Sequence, residues 1–137
     1  MNENILEINR NQFSENIFLS RLLNLPKVPE KIFIRGELPE FKIDEYGRLF
    51  PRVLTIVGSR KNTFYARDVI EKLLKELDDY PVIILSGLAI GIDGLAHTNA
   101  LQNNLRTIAI PGSGLSNKTI YPKSHFNLAK NILEYLE

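Results

Sequence analysis

Val53-Leu54-Thr55-Ile56-Val57-Gly58-Ser59-Arg60 is the stretch on which the fold turns. Five β-branched or aliphatic residues in a row have the length of a strand, and the lack of polar alternation marks one buried on both faces. The pattern recurs twice downstream, where Val82-Ile83-Ile84-Leu85 leads into Ser86-Gly87 and Thr107-Ile108-Ala109-Ile110 into Pro111-Gly112. Helical spacings fill the intervals. Ala66, Val69, Ile70, Leu73, Leu74 and Leu77 recur at the i, i+3, i+4, i+7 interval of an amphipathic helix. Asp93 is placed to cap a helix running to about Asn104, with Leu95, Ala96 and Leu101 facing inward. A last helix, from about Ser124 to Leu136, gathers Phe126, Leu128, Ala129, Ile132, Leu133 and Leu136 mostly on one side. Alternating strands and helices mean βαβ units, right-handed crossovers and a parallel sheet covered on both faces. The expected fold is α/β, a Rossmann-like three-layer α/β/α domain with a mainly parallel sheet.

The region before this core is less legible. Ile17, Phe18, Leu22 and Leu23 have weak helical spacing, with Ser14 as N-cap and Leu25-Pro26 as the stop. Lys31-Ile32-Phe33-Ile34-Arg35 reads as a strand, and Phe41 to Phe50 as a further short strand around a turn at Gly47. A length of 137 residues fits one domain, 1–137, with 1–30 a poorly defined N-terminal helical extension. The 44% hydrophobic and 24% charged content excludes a disordered or fibrous chain. The absence of Cys excludes a disulfide framework, a thiolate zinc site and a cysteine nucleophile. No apolar run approaches the roughly 20 residues that cross a bilayer, and Met1-Asn2-Glu3-Asn4 lacks the basic start of a signal peptide. A cytoplasmic protein without a membrane partner is expected.

Gly58, Gly87, Gly91, Gly94, Gly112 and Gly114 all fall just after the three buried strands. In a parallel sheet those positions share the carboxyl edge, where ligands bind at a switch in strand order. Glycine brings backbone N–H groups close to a ligand, and the helix N-termini that follow favour anions. The charge pattern agrees: from Gly94 to Leu133 there is no acid, whereas Arg106, Lys118, Lys123 and Lys130 are all basic. Arg60 can grip a phosphate in bidentate fashion, with Ser59 donating from the turn and Lys61 adding charge. Tyr121, Lys123, His125 and Phe126 follow the third loop, a mixture of cations and rings that suits single-stranded nucleic acid. A core position is an even alternative for each ring taken singly.

Other chemistries find less support. Gly112-Ser113-Gly114 lacks the third glycine of a dinucleotide fingerprint, and no Gly-Lys-Ser/Thr phosphate loop exists. His97 and His125 have no nucleophile at a recognisable spacing, so neither a catalytic residue, a cofactor nor a metal is expected.

Ile56-Val57-Gly58-Ser59-Arg60, then Ser86-Gly87-Leu88-Ala89 with Gly91-Ile92-Asp93 and Ala96-His97, then Gly112-Ser113-Gly114-Leu115 with Ile120-Tyr121-Pro122, strongly resemble the DprA/Smf family over roughly residues 26–133. The resemblance implies a Rossmann-like domain that binds single-stranded DNA, serves natural transformation and recombination, loads a RecA-type recombinase, and forms dimers. It implies a binding protein rather than an enzyme. It places the phosphate-gripping arginine at Arg60 beside Gly58 and Ser59, the basic residue after Tyr-Pro at Lys123, and the aromatic three residues on at Phe126. Ile90 stands where the family often has a basic or polar residue, and a single domain without a C-terminal winged-helix domain is expected. Two alternatives share the glycine edge: a sensor of a small nucleotide, and a nucleotide hydrolase of the lysine-decarboxylase-like group. The hydrolase needs a glutamate shortly after its glycines, and here no acid follows until Glu134.

Overall fold

The computed structural model describes residues 3–135 and divides into two compact units, Met1–Phe50 and Pro51–Glu137. In the first, strand β1 (Ile5–Asn9) pairs antiparallel with β2 (Lys31–Arg35), placing Ile5 opposite Arg35 and Asn9 opposite Lys31. Two 3-10 segments, Arg10–Glu15 and Leu19–Asn24, replace the single helix expected from Ser14. The physical reason lies at Asn16. Its Oδ1 accepts the N–H groups of Phe18 and Leu19 at 2.9 and 3.0 Å, so the side chain competes with the backbone acceptors a continuous helix would use. Phe13 is the fully buried centre of this unit. Beyond it, β3 (Lys42–Ile43) and β4 (Leu49–Phe50) form a hairpin around Gly47, whose φ is +73°. Asp44 Oδ1 closes that turn by accepting from the N–H groups of Tyr46 and Arg48.

The second unit is the α/β domain. Strands β5 (Arg52–Thr55), β6 (Val82–Ser86) and β7 (Thr107–Ala109) form a parallel sheet in the order β5-β6-β7, with Val53 opposite Ile83 and Ile84 opposite Thr107. Helix α1 (Phe64–Glu76) links the first pair and α2 (Ile92–Gln102) the second. A 3-10 turn, Lys123–His125, leads into α3 (Phe126–Glu134); Leu136, assigned to this helix from its spacing, lies outside the described residues. Because the strands follow one another in a single direction, both crossover helices take the same face. Ile70 and Leu74 of α1 accordingly meet Ile84 of β6 and Ala96 and Ala100 of α2 in one core. A second cluster joins Ile132 of α3 to Leu88 and Ile120.

His97 of α2 is completely buried. Its Nδ1 lies 2.6 Å from Thr107 Oγ1, whose own hydrogen is donated to the Ile84 carbonyl at 2.9 Å. A hydroxyl has one hydrogen to give, so His97 must donate from Nδ1. Burial pulls its pKa down to about 4, outweighing the upward pull of Asp93. This histidine stitches α2 to β6 and β7.

Candidate nucleic-acid interface

Three loops leave the carboxyl ends of β5, β6 and β7, and each is fastened to the next. In the first, Ser59 Oγ accepts the Lys61 N–H and donates to the Lys61 carbonyl, both at 3.0 Å. The hydroxyl that sequence assigned to a ligand thus closes its own turn. The Ser59 carbonyl accepts the N–H of Ile92 at 3.1 Å, fixing the loop to the start of α2. The approach is close on both sides. A Cβ on Gly58 would lie 2.8 Å from Ile92 Cγ1, and one on Gly91, where φ is +89°, would collide with the Ser59 carbonyl and sit 2.7 Å from the Arg60 carbonyl carbon.

Gly91, not Asp93, is the N-cap of α2, which corrects the expected cap. Asp93 is buried in the first turn and reaches back across the loop, where its Oδ2 accepts the Gly87 N–H at 3.1 Å. A Cβ at Gly87 would lie 2.6 Å from that oxygen, so a side chain there displaces the Asp93 carboxylate and breaks this bond. Leu88 holds the left-handed conformation at φ +64°, unusual for a branched residue, with its fully buried side chain anchored against Ile120 and Ile132. His125 donates from Nδ1 to the Leu88 carbonyl at 2.8 Å and thereby joins the third block to the second loop. Within the third loop Ser113 Oγ accepts the Tyr121 N–H at 3.1 Å; Gly112 is open and Gly114 packs against Thr119.

The network decides which groups remain for a ligand. The N–H groups of Ile92, Gly94 and Leu95 already donate to the carbonyls of Ser59, Ala89 and Gly91, so most of the α2 N-terminus is occupied. The backbone N–H groups of Gly58, Ser59 and Arg60 have no partner among the described residues, and neither do the exposed side chains of Arg60 and Lys61. Lys123 is exposed too, but its Nζ folds back on the third loop and donates to the Lys118 carbonyl at 2.7 Å. Phe126 is half-buried against the Leu88 cluster, whereas Tyr121 is 66% exposed. Periodicity singled out neither Phe64 (87% exposed) nor Tyr65 (78%), which begin α1 directly after the first loop. Among the described residues no group of three or more His, Asp or Glu is placed to hold a metal, and no helix is long and apolar enough to cross a membrane.

A parallel sheet carrying three interlocked glycine loops, with unpartnered cations at its carboxyl edge, defines an α/β domain of the Rossmann-like class. Residues 5–136 match the family described as DNA recombination-mediator protein A, and the chain belongs to that family. It is 39% identical over 114 residues to Protein Smf of Escherichia coli (strain K12), a match covering 83% of this chain and 28% of that protein. The X-ray structure of DNA processing protein A from Streptococcus pneumoniae superposes with a TM-score of 0.72 at 31% identity, covering 94% of this chain and 41% of that one. DNA processing protein A from Helicobacter pylori, described for its single-stranded DNA binding mode, shares the fold with a TM-score of 0.62 at 24% identity, over 98% of this chain and 53% of that one.

Proposed function

We propose that the carboxyl edge of this domain binds single-stranded DNA in DNA processing and recombination, without covalent chemistry of its own. The observation that carries the reading is the first loop. Arg60 and Lys61 stand free beside three unbonded backbone N–H groups, on a loop braced by Ser59 and Gly91, in a chain of the DNA recombination-mediator family. Such a set holds phosphate oxygens and has no reader of base edges, so binding is tolerant of sequence. Gly58, Ser59, Arg60 and Lys61 form the phosphate-holding segment; Gly87 and Gly91 shape the second loop behind it, and Gly112, Gly114 and Lys123 border it in the third. Loading of a RecA-type recombinase, homodimer formation and a cytoplasmic location belong to the same reading, supported by the family alone.

The test is anisotropy of a labelled oligothymidine against a duplex of equal length, across a salt series. Neutralising about three phosphates gives a log–log salt slope of roughly −2. Arg60→Ala is expected to weaken binding by about 10- to 100-fold while the far-UV circular dichroism stays unchanged, the loss of one charge-assisted contact. Tighter binding to duplex, a slope near zero, or full affinity in folded Arg60→Ala would each overturn the reading.

A further inference from the structure

Phe64 and Tyr65 are the first two residues of α1, and both rings lie in solvent. The helix does not need them there. Its inner side is built by Ile70, Leu74 and Leu77, and its cap by Thr63, whose side chain accepts the Ala66 N–H at 3.1 Å. A Phe left almost wholly in water beside a Tyr is an aromatic surface without a partner among the described residues. Its chemical surroundings say what would cover it. Arg60, Lys61 and Arg67 outnumber Asp68, the nearest acid and one helical turn from Phe64, so the complementary partner carries negative charge and flat apolar faces together. Only three residues separate Phe64 from Arg60, whose guanidinium is unpartnered. Unpaired nucleobases meet every one of these conditions; paired ones do not, because their faces are covered by stacking within the duplex.

We propose that Phe64 and Tyr65 form a base-stacking platform for unpaired nucleobases of a strand whose phosphates Arg60 and Lys61 hold. The proposal rests on the reading of this edge as a single-stranded DNA site, and it adds the source of the preference for single over double strands. Consecutive helical positions fan about 100° apart, so the two rings take separate bases rather than stacking on each other.

The experiment compares oligothymidine with an abasic deoxyribose-phosphate strand of equal length, using the full chain and the variants Phe64→Ala, Tyr65→Ala, Phe64→Trp and Arg60→Ala. Phe64→Ala and Tyr65→Ala are each expected to weaken oligothymidine binding by roughly 5- to 100-fold and to leave abasic-strand binding and the melting temperature unchanged. Phe64→Trp retains affinity, and its indole fluorescence is quenched on adding oligothymidine. Arg60→Ala weakens both strands alike. If both alanine ring variants bind oligothymidine normally while Arg60→Ala does not, the platform is wrong and the phosphate site stands. Absence of binding by the unaltered chain to either strand refutes the functional reading and the platform with it. Loss of self-association in Phe64→Ala, with base binding intact, would assign the rings to an interface between copies and overturn the proposal.

Discussion

Residues 3–50 and 51–135 both close their turns with polar side chains, to different ends. In the first unit Asn16 holds Phe18 and Leu19 and Asp44 holds Tyr46 and Arg48, each within its own turn, and Arg10 alone reaches across, donating to the Val28 and Pro29 carbonyls before β2. In the second, Asp93 braces its own loop at Gly87, and further bonds run from loop to loop, from His125 to Leu88 and from the Ser59 carbonyl to Ile92. A turn closed on itself only reverses the chain. Turns closed on one another make a surface that holds its shape, and Arg60 and Lys61 stand exposed outside its bonding network.

Two glycines with positive φ test that contrast most strongly. At Gly91 an alanine meets both the unfavourable φ of +89° and the backbone of Ser59 and Arg60, and is expected to cost about 3–5 kcal/mol, with loss of oligothymidine binding. At Gly47 the φ is +73° but nothing lies within 4 Å, so alanine is expected to cost only about 1–2 kcal/mol. Urea denaturation of both variants checks this; equal losses would erase the distinction between the units.

Next in size is the pH response of the second unit. The folded pKa of His97, about 4, lies below the ordinary 6.5. The unfolded chain therefore takes up a proton below pH 6.5 that the folded chain refuses. The stabilisation is complete above pH 6.5 and falls as pH drops toward 4, by about 3 kcal/mol in all. Unfolding free energies of the full chain and of His97→Gln, measured at pH 7 and pH 4, are expected to show a loss smaller in the variant by about that amount. Identical losses would show that His97 does not carry the effect.

The smallest effects separate free cations from engaged ones. Lys123 already donates to the Lys118 carbonyl, so Lys123→Ala is expected to weaken oligothymidine binding by less than Arg60→Ala does, roughly 3- to 10-fold, on the order of 1 kcal/mol. Lys31 of the first unit, 3.1 Å from Glu7 in an exposed ion pair, is the control. Lys31→Ala is expected to leave binding unchanged and stability within about 1 kcal/mol. A Lys123 effect equal to that of Arg60 in the same anisotropy titration would return both cations to the same role.

The strands of the second unit were legible because Val53–Val57, Val82–Leu85 and Thr107–Ile110 are continuous aliphatic or β-branched runs, but only β6 is buried as that pattern implies. Thr55, Val57 and Ile110 are exposed, because the outer strands of the three lack a neighbour on one side among the described residues. Helix α1 was legible through the recurrence of Ala66, Val69, Ile70, Leu73, Leu74 and Leu77, although Val69 and Leu73 stand exposed, outside the core that Ile70 and Leu74 build. Strand β1 was not, since Ile5-Leu6-Glu7-Ile8-Asn9 has no clear alternation and owes its form to pairing with β2, some 25 residues away. The glycine loops and Arg60 were visible as composition at strand ends, and the family resemblance was carried by those same residues. Asp93 was misread as a cap because the local rule weighs neighbours in sequence, whereas its bond to Gly87 depends on how the loop folds back. Phe126 and Phe64 each open a helix, and only tertiary packing makes the first half-buried and leaves the second in water.

The bond from the Ile92 N–H to the Ser59 carbonyl gives this edge a built-in clock. The first loop cannot lift away from α2 without releasing that amide to solvent, so its hydrogen–deuterium exchange rate counts the openings of the loop. The amides of Gly58, Ser59 and Arg60, which donate to nothing among the described residues, exchange without waiting for any opening. Ligand that seals the loop would slow both classes, whereas ligand that only touches the free amides would leave Ile92 at its own pace. Exchange at a single backbone position thus reports on the lifetime of the whole loop arrangement.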